Sequence, residues 1–341
     1  MRPLGQVFGL LLAAIGLYGL AFACVLDRPL SLGTLRRALD AKLAYAATVP
    51  TPKLVILAGS NALFSHSCAI IGTMLGLPCV NGGVALGLGL DYQFALWKPL
   101  LHAHDIVYMP MELQQYVVTA GAARAGPDAS IMWRHDRATL AGLGPARILA
   151  AAFSSTAEDA VLSLVETAAL ALHPGLAAAP FAETDAAGDG IGHTLARAAA
   201  NRAFLAALHR ADPPPAAILA GYGSAEIAQF LDWARAHRLR VIGGWPTEFA
   251  DAPPDPRLAG ALAGFYAAHG AAFLALPNAG RYPRADFFDS QDHLVAECQA
   301  QHSMAVAEGL APLLGRPAGP PPAMAEAAAA HCPGVSESPA S

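Results

Sequence analysis

Short, wholly apolar runs alternate with longer stretches of helical periodicity along most of this chain. Leu54-Val55-Ile56-Leu57 is apolar at every position and is bounded by Pro52 and by Gly59-Ser60-Asn61, which predicts a strand buried on both faces. A helix over 62–75 follows, then a strand at Pro78-Cys79-Val80-Asn81 closed by Gly82-Gly83. Next come a helix over 90–101 and a strand at Asp105-Ile106-Val107-Tyr108-Met109. Strand patterns return at Ala216-Ala217-Ile218-Leu219-Ala220, Leu239-Arg240-Val241-Ile242-Gly243 and Ala272-Phe273-Leu274-Ala275-Leu276, with helical segments such as 225–236 between them. Such alternation needs crossover connections, so it predicts an α/β fold with an open parallel sheet flanked by helices.

Several stretches stand outside the alternation. Residues 115–212 are Ala-rich and helical in pattern, and predict a helical insertion within an α/β domain spanning 51–314. Its segment 145–172 is apolar but carries Glu158, Asp159 and Glu166, which argue against a second membrane span. Pro, Ala, Gly and Ser dominate 315–341, which predicts a disordered tail. At the other end, 5–26 is uncharged and matches the roughly twenty apolar residues a membrane-spanning helix needs. Residues 1–28 therefore read as a transmembrane anchor or uncleaved signal, and 29–50 as a juxtamembrane helix with Arg36, Arg37, Asp40 and Lys42 on its polar side. Ala21-Phe22-Ala23 before Cys24 has the form of a cleavage site, but the bulky Phe22 and the length of the run favour retention. Arg28, Arg36, Arg37 and Lys42 outnumber Arg2 and the terminal amine, so a positive-inside count alone would keep the body cytoplasmic.

Composition narrows the chemistry. The 341 residues carry a net charge of -5, which supplies no basic surface for nucleic acid. The hydrophobic fraction of 55% is inflated by alanine, so the core is read from pattern. Cys24, Cys68, Cys79, Cys298 and Cys332 show no paired metal spacing, and buried thiols are the expected state of Cys68 and Cys79. His102-x-His104 lacks a third ligand, and Gly87-Leu88-Gly89 lacks the remainder of a dinucleotide fingerprint, so neither a metal nor a cofactor is implied.

In an open parallel sheet the ligand crevice lies beyond the carboxyl ends of the strands. The first strand ends in Gly59-Ser60-Asn61, the second in Asn81-Gly82-Gly83 and the third in Pro110-Met111-Glu112; Asp289 and His293 follow the last. A serine at a strand-to-helix turn can act as nucleophile, with a histidine as base and a carboxylate holding the imidazole tautomer. Glycine N–H groups on the neighbouring loop are candidate oxyanion donors.

The stretch Val55-Ile56-Leu57-Ala58-Gly59-Ser60-Asn61-Ala62-Leu63-Phe64, the Asn81-Gly82-Gly83-Val84 block, and Phe287-Phe288-Asp289-Ser290-Gln291-Asp292-His293-Leu294 resemble SGNH/GDSL hydrolase motifs over residues 53–313. More narrowly they resemble membrane-anchored SGNH-like proteins found with machinery that acetylates exported polysaccharides such as alginate or bacterial cellulose. The resemblance implies a three-layer, flavodoxin-like fold with Ser60 as nucleophile, His293 as base, Asp289 as its orienting acid, and Gly82 or Gly83 as oxyanion donor. It implies O-acetyl esterase or O-acetyltransferase chemistry on an acetylated carbohydrate, with no metal or cofactor, alongside other exopolysaccharide-machinery proteins. It also implies an inner-membrane, single-pass protein with its body in the periplasm, against the charge count. The alternative is a non-catalytic, membrane-tethered scaffold or polysaccharide-binding component of the same machinery.

The motifs depart from the family at two places. The block that usually provides an oxyanion asparagine is replaced by Met109-Pro110-Met111-Glu112, leaving Asn61 and Asn81 as substitutes and Glu112 as a substrate-binding candidate. Ser290 occupies the position of the usual acid, which leaves Asp289 and Asp292; Asp292 better suits the cap or first turn of a helix over 294–314.

Overall fold

Burial on both faces makes Leu54–Ile56 (β1) an interior strand of a parallel sheet, with each of its side chains fully buried. The computed structural model describes residues 2–25, 28–178, 180–209, 211–251, 253 and 255–333. Two compact units emerge, Met1–Ala38 with Arg124–Phe181, and Leu39–Ala123 with Ala182–Ser341.

The second unit is the α/β body. β1 lies between Cys79–Asn81 (β2) and Ile106–Met109 (β3); Arg240–Gly244 (β4) pairs with β3, and beyond β4 the sheet ends at Ala272–Leu274. Glu248–Phe249 (β5) precedes that last strand (β6), and Arg281–Tyr282 (β7) follows it; β5 and β7 pair as a separate parallel ribbon. The main order is β2-β1-β3-β4-β6, which is the flavodoxin-like order with its switch point beside β1. Right-handed crossovers then put the helices after β1 on one face and those after β2, β3 and β4 on the other. Cys68–Leu75 packs with Ala296–Leu314, while Leu90–Trp97 meets Tyr222–Ala236 through Phe94 and Phe230, whose rings stack at 4.4 Å.

Strand register brings the site together. Ile56 pairs with Asn81 on one side and Tyr108 on the other, so all three strands leave the sheet at one level. Gly82 N–H donates to Ile56 O at 2.8 Å and Leu57 N–H to Tyr108 O at 2.9 Å, which carries the pairing one residue further.

Several expectations are corrected. The strand expected at 216–220 is the helix Pro215–Ala220, because its alanines favour helix and Pro215 suits the first helical position. The single helix expected over 62–75 is broken into Ser60–Ser65 and Cys68–Leu75, with His66 extended and Ser67 Oγ capping Ile70 N–H. Lys42, expected on a solvated face, is buried in the helix Ser31–Thr48, where its Nζ donates to the carbonyls of Asn81 and Gly188. The insertion is narrower than 115–212, since 115–123 and 182–212 belong to the α/β unit.

The cysteine and tail expectations also change. Cys68 and Cys79 form a disulfide, as do Cys298 and Cys332. Gly72 permits the first, because a Cβ there would stand 3.1 Å from Cys79 Cβ and 2.8 Å from Leu77 O. The second ties down the expected disordered tail. Its described part, 315–333, contains the helix Ala323–Ala329, whose small Ala325 and Ala329 pack closely enough to be buried. Residues 334–341 lie outside the described residues.

The first unit contains the helix Arg2–Val25, whose segment Leu4–Phe22 is long and apolar enough to cross a membrane. At about 1.5 Å per residue this helix exceeds the roughly 30 Å hydrocarbon thickness. The apolar stretch 145–172 forms two helices, Pro145–Ala152 and Ala157–Leu172, bent by 67° at their junction. Thr156 and Asp159 form a capping box that starts the second helix.

Candidate active site

Ser60 is the first residue of a short helix at the carboxyl end of β1, so its N–H has no intrahelical acceptor. Beneath it lies Glu112, fully buried at the carboxyl end of β3. One Glu112 oxygen accepts Gly59 N–H at 2.9 Å and the other accepts Asn61 N–H at 3.0 Å. Of three successive amides, the outer two are thus held by one carboxylate, while Ser60 N–H has no protein acceptor among the described residues. Burial, reinforced by the charge of Asp292 and opposed by these N–H donors, pushes the Glu112 carboxyl up to about 7. Glu112, expected as a substrate-binding candidate, is a fully buried support beneath the turn that carries Ser60.

The other side of the site comes from a clamped loop. Phe287 bridges Leu294, Phe288 N–H donates to His293 O at 2.8 Å, and Val295 N–H donates to Asp286 O at 2.8 Å. Inside this loop His293 Nδ1 stands 2.6 Å from Asp289 Oδ1, the expected base and acid. His293 is half-buried and Asp289 more open, with 14% and 41% of their side chains exposed. Asp292 is not the cap of the following helix: Ala296–Leu314 starts after Val295, and Asp292 is buried.

Ser60–Ser65 also receives that loop. Ser65 Oγ accepts Leu294 N–H at 3.2 Å and donates to Asp292 O at 2.9 Å, fixing the residues on either side of His293. Phe64, on the Ser60 face of the helix at the i+4 position, packs its ring 4.3 Å from the His293 ring. The imidazole thus packs against the helix that Ser60 begins. No hydrogen bond joins Ser60 Oγ to His293 among the described residues.

The expected oxyanion donors are placed differently. Gly82 N–H is engaged by Ile56 O, and Gly83 N–H by Asn81 Oδ1 at 3.0 Å, so both are already bonded. Close packing explains these glycines: a Cβ at Gly83 would lie 2.6 Å from Ala62 Cβ, and one at Gly82 would lie 2.7 Å from both Leu57 Cδ2 and Trp97 Cζ2. Asn81 is a buried cross-link whose Nδ2 donates to Ala62 O at 2.7 Å, His66 O at 3.1 Å and Asp189 at 3.1 Å. Asn61 is another, with Nδ2 on Pro110 O at 2.9 Å and Oδ1 accepting from Thr247 N–H at 3.2 Å. Each of the expected donors is thus already bonded, whereas Ser60 N–H has no acceptor among the described residues.

Sequence reading missed Phe64, Ser65, Thr247 and His193. His193 is buried beside the same aromatic cluster, 5.3 Å from Phe64 and 6.0 Å from Phe288 between ring centroids. Burial lowers its pKa to about 4, so its ring is neutral at physiological pH. The chain offered no signal for His193 or Thr247, which lie on irregular segments; Phe64 and Ser65 were legible only as helix positions after Ser60. Among the described residues, one cluster has metal-ligand types, Asp286 with Cys298 and Cys332, but its sulfurs are joined to each other. Compared with family profiles, curated proteins and solved structures, the chain matches none of them.

Proposed function

We propose that the α/β unit carries out serine-dependent ester chemistry as an SGNH-like O-acetyl esterase or O-acetyltransferase on an exported polysaccharide. The observation that carries this reading is the Asp289–His293 pair, held at 2.6 Å and packed through Phe64 onto the helix that Ser60 begins.

In this mechanism Ser60 Oγ attacks the acetyl carbonyl while His293 takes the hydroxyl proton and Asp289 holds the imidazole. Ser60 N–H donates to the developing oxyanion. Collapse of the tetrahedral intermediate breaks the ester bond, and the departing sugar oxygen takes the proton from His293. Acetyl-Ser60 is then attacked by water, giving acetate, or by a sugar hydroxyl, giving a new ester; His293 again removes the attacking proton. The missing Ser60–His293 hydrogen bond is compatible with this scheme, because catalytic contacts often tighten only around substrate.

Hydrolysis of p-nitrophenyl acetate by the full chain and by its Ser60→Ala variant tests the reading. Loss in the variant supports Ser60 as nucleophile, and equal rates refute it. Acetyl transfer seen only with an added sugar acceptor identifies a transferase. The second reading, a non-catalytic polysaccharide-binding scaffold in the same machinery, is favoured by the engaged Gly82 and Gly83 amides. Saturable polysaccharide binding unchanged by Ser60→Ala, with no turnover, would select it.

We also place the body in the periplasm, anchored to the inner membrane by Arg2–Val25. Two disulfides support this against the charge count, since such bonds persist in oxidising compartments. A C-terminal alkaline phosphatase fusion reports the side directly: activity supports export and inactivity refutes it.

A further inference from the structure

In the first unit two of the three acidic residues that argued against a second span over 145–172 are turned inward and paired, while Glu158 stays exposed in the first turn of the second helix. Asp159 forms an ion pair with Arg28 at 2.7 Å and shares the capping box with Thr156. Glu166 accepts Leu30 N–H at 2.9 Å and Ser31 N–H at 3.2 Å, and is bonded to Ser31 Oγ. With those groups facing the 28–31 segment, Val161, Leu164, Val165 and Leu172 recur at helical spacing on a different, open face. Together with Leu149 and Phe153 of the preceding helix, they are 57–76% exposed. That is an exposed apolar surface with Glu158 at its end, on which Tyr18 covers part of Phe153.

Its position identifies what covers it. Tyr18, near the end of the N-terminal helix, stacks on Phe153 at 5.4 Å and donates its hydroxyl to Ser155 O at 3.4 Å. Phe22 meets Trp133 edge-on at 5.6 Å, and Arg134 donates to Phe22 O at 2.7 Å. Tyrosine, tryptophan and arginine gathered around the last turns of an apolar helix are the residue types of a membrane–water interface. The 145–172 segment thus lies beside that helix, joined to it through Tyr18 at Phe153 and Ser155.

We propose that residues 145–172 form a second membrane-contacting element, a bent amphipathic collar seated in lipid beside the N-terminal helix. This rests on the reading that Arg2–Val25 crosses a bilayer. The collar's apolar face lies among acyl chains, while Asp159 and Glu166 stay bonded to the 28–31 segment.

The test uses the full chain in a Cys24→Ser background, in vesicles of phosphatidylcholine and phosphatidylglycerol. An environment-sensitive fluorophore is placed on Val165→Cys, on Leu149→Cys or, as the anchor probe, on Leu12→Cys. The collar predicts blue-shifted emission from Val165 and Leu149 that is largely lost when doxyl-labelled phospholipid is included, as at Leu12. Quenching at Leu12 alone overturns the collar and leaves the anchor intact; quenching at none overturns both. Blue-shifted but unquenched emission at Val165 also overturns it, because the covering partner is then protein or a second copy.

Discussion

The Glu112 carboxylate accepts the Asn61 N–H at 3.0 Å, from a position fully buried beneath the turn that carries Ser60. Its other oxygen holds Gly59, so one side chain from the end of β3 sets the backbone on both sides of Ser60 at the end of β1.

Glu112→Gln removes one of those two acceptors and turns an amide NH2 toward a backbone N–H. The expected cost is about 1–3 kcal/mol of stability, the usual penalty for an unmatched buried polar group. Esterase turnover should fall with it. Chemical denaturation of both proteins, beside acetyl ester hydrolysis, measures the two effects.

Glu112 also predicts a pH dependence. Its folded pKa of about 7 lies above the ordinary value of 4.5, so the folded state binds more protons between those limits. Its contribution to stability is therefore fully present below about pH 4.5 and is lost as pH rises toward 7. Denaturation midpoints across that window should show a downward component in the wild type that Glu112→Gln lacks.

Asp289→Asn leaves a side chain of similar shape but removes the charge that stabilises an imidazolium at His293. Turnover should drop by roughly 100- to 10,000-fold, as for the orienting carboxylate of a hydrolase triad. Because Asp289 is 41% exposed, stability should change by less than about 1 kcal/mol. Comparable kinetics in variant and wild type would remove Asp289 from the mechanism.

Phe64→Ala takes away the ring against which His293 packs, without touching Ser60, Asp289 or the Ser65 clamp. The imidazole gains freedom, so kcat should fall more than KM rises, accompanied by a stability loss of about 1–3 kcal/mol for a partly buried aromatic. Steady-state kinetics on an acetyl ester separates the two parameters.

Replacing Cys298 and Cys332 together by serine releases the segment that follows Leu314. A stability loss of about 2–4 kcal/mol is expected, together with faster amide exchange over 316–333. Hydrogen exchange by mass spectrometry locates the change.

Much of the framework was written in local patterns. The strands β1, β2, β3, β4 and β6 and the apolar N-terminal helix follow from runs of apolar residues bounded by turn residues. Periodicity and strand ends are local properties, so a single chain exposes them. The misread 216–220 segment shows the limit: a short apolar run fits a strand or a buried helix equally, and its prolines and alanines decided the outcome.

Pairings between distant segments were decided by the tertiary structure. Sequence determined that Glu112 ends a strand; only the fold placed it under Ser60 and made it a buried support. Sequence put Gly82 and Gly83 beside the cleft; only strand register and the packing around Ala62 committed their N–H groups elsewhere. Likewise Cys332 found Cys298, Asp159 found Arg28, and Glu166 found Ser31 across separations that leave no local trace. The physical reason is common to all of them. A hydrogen bond or ion pair depends on atoms brought within a few ångströms by the whole chain, whereas a hydrophobic period depends on neighbours alone.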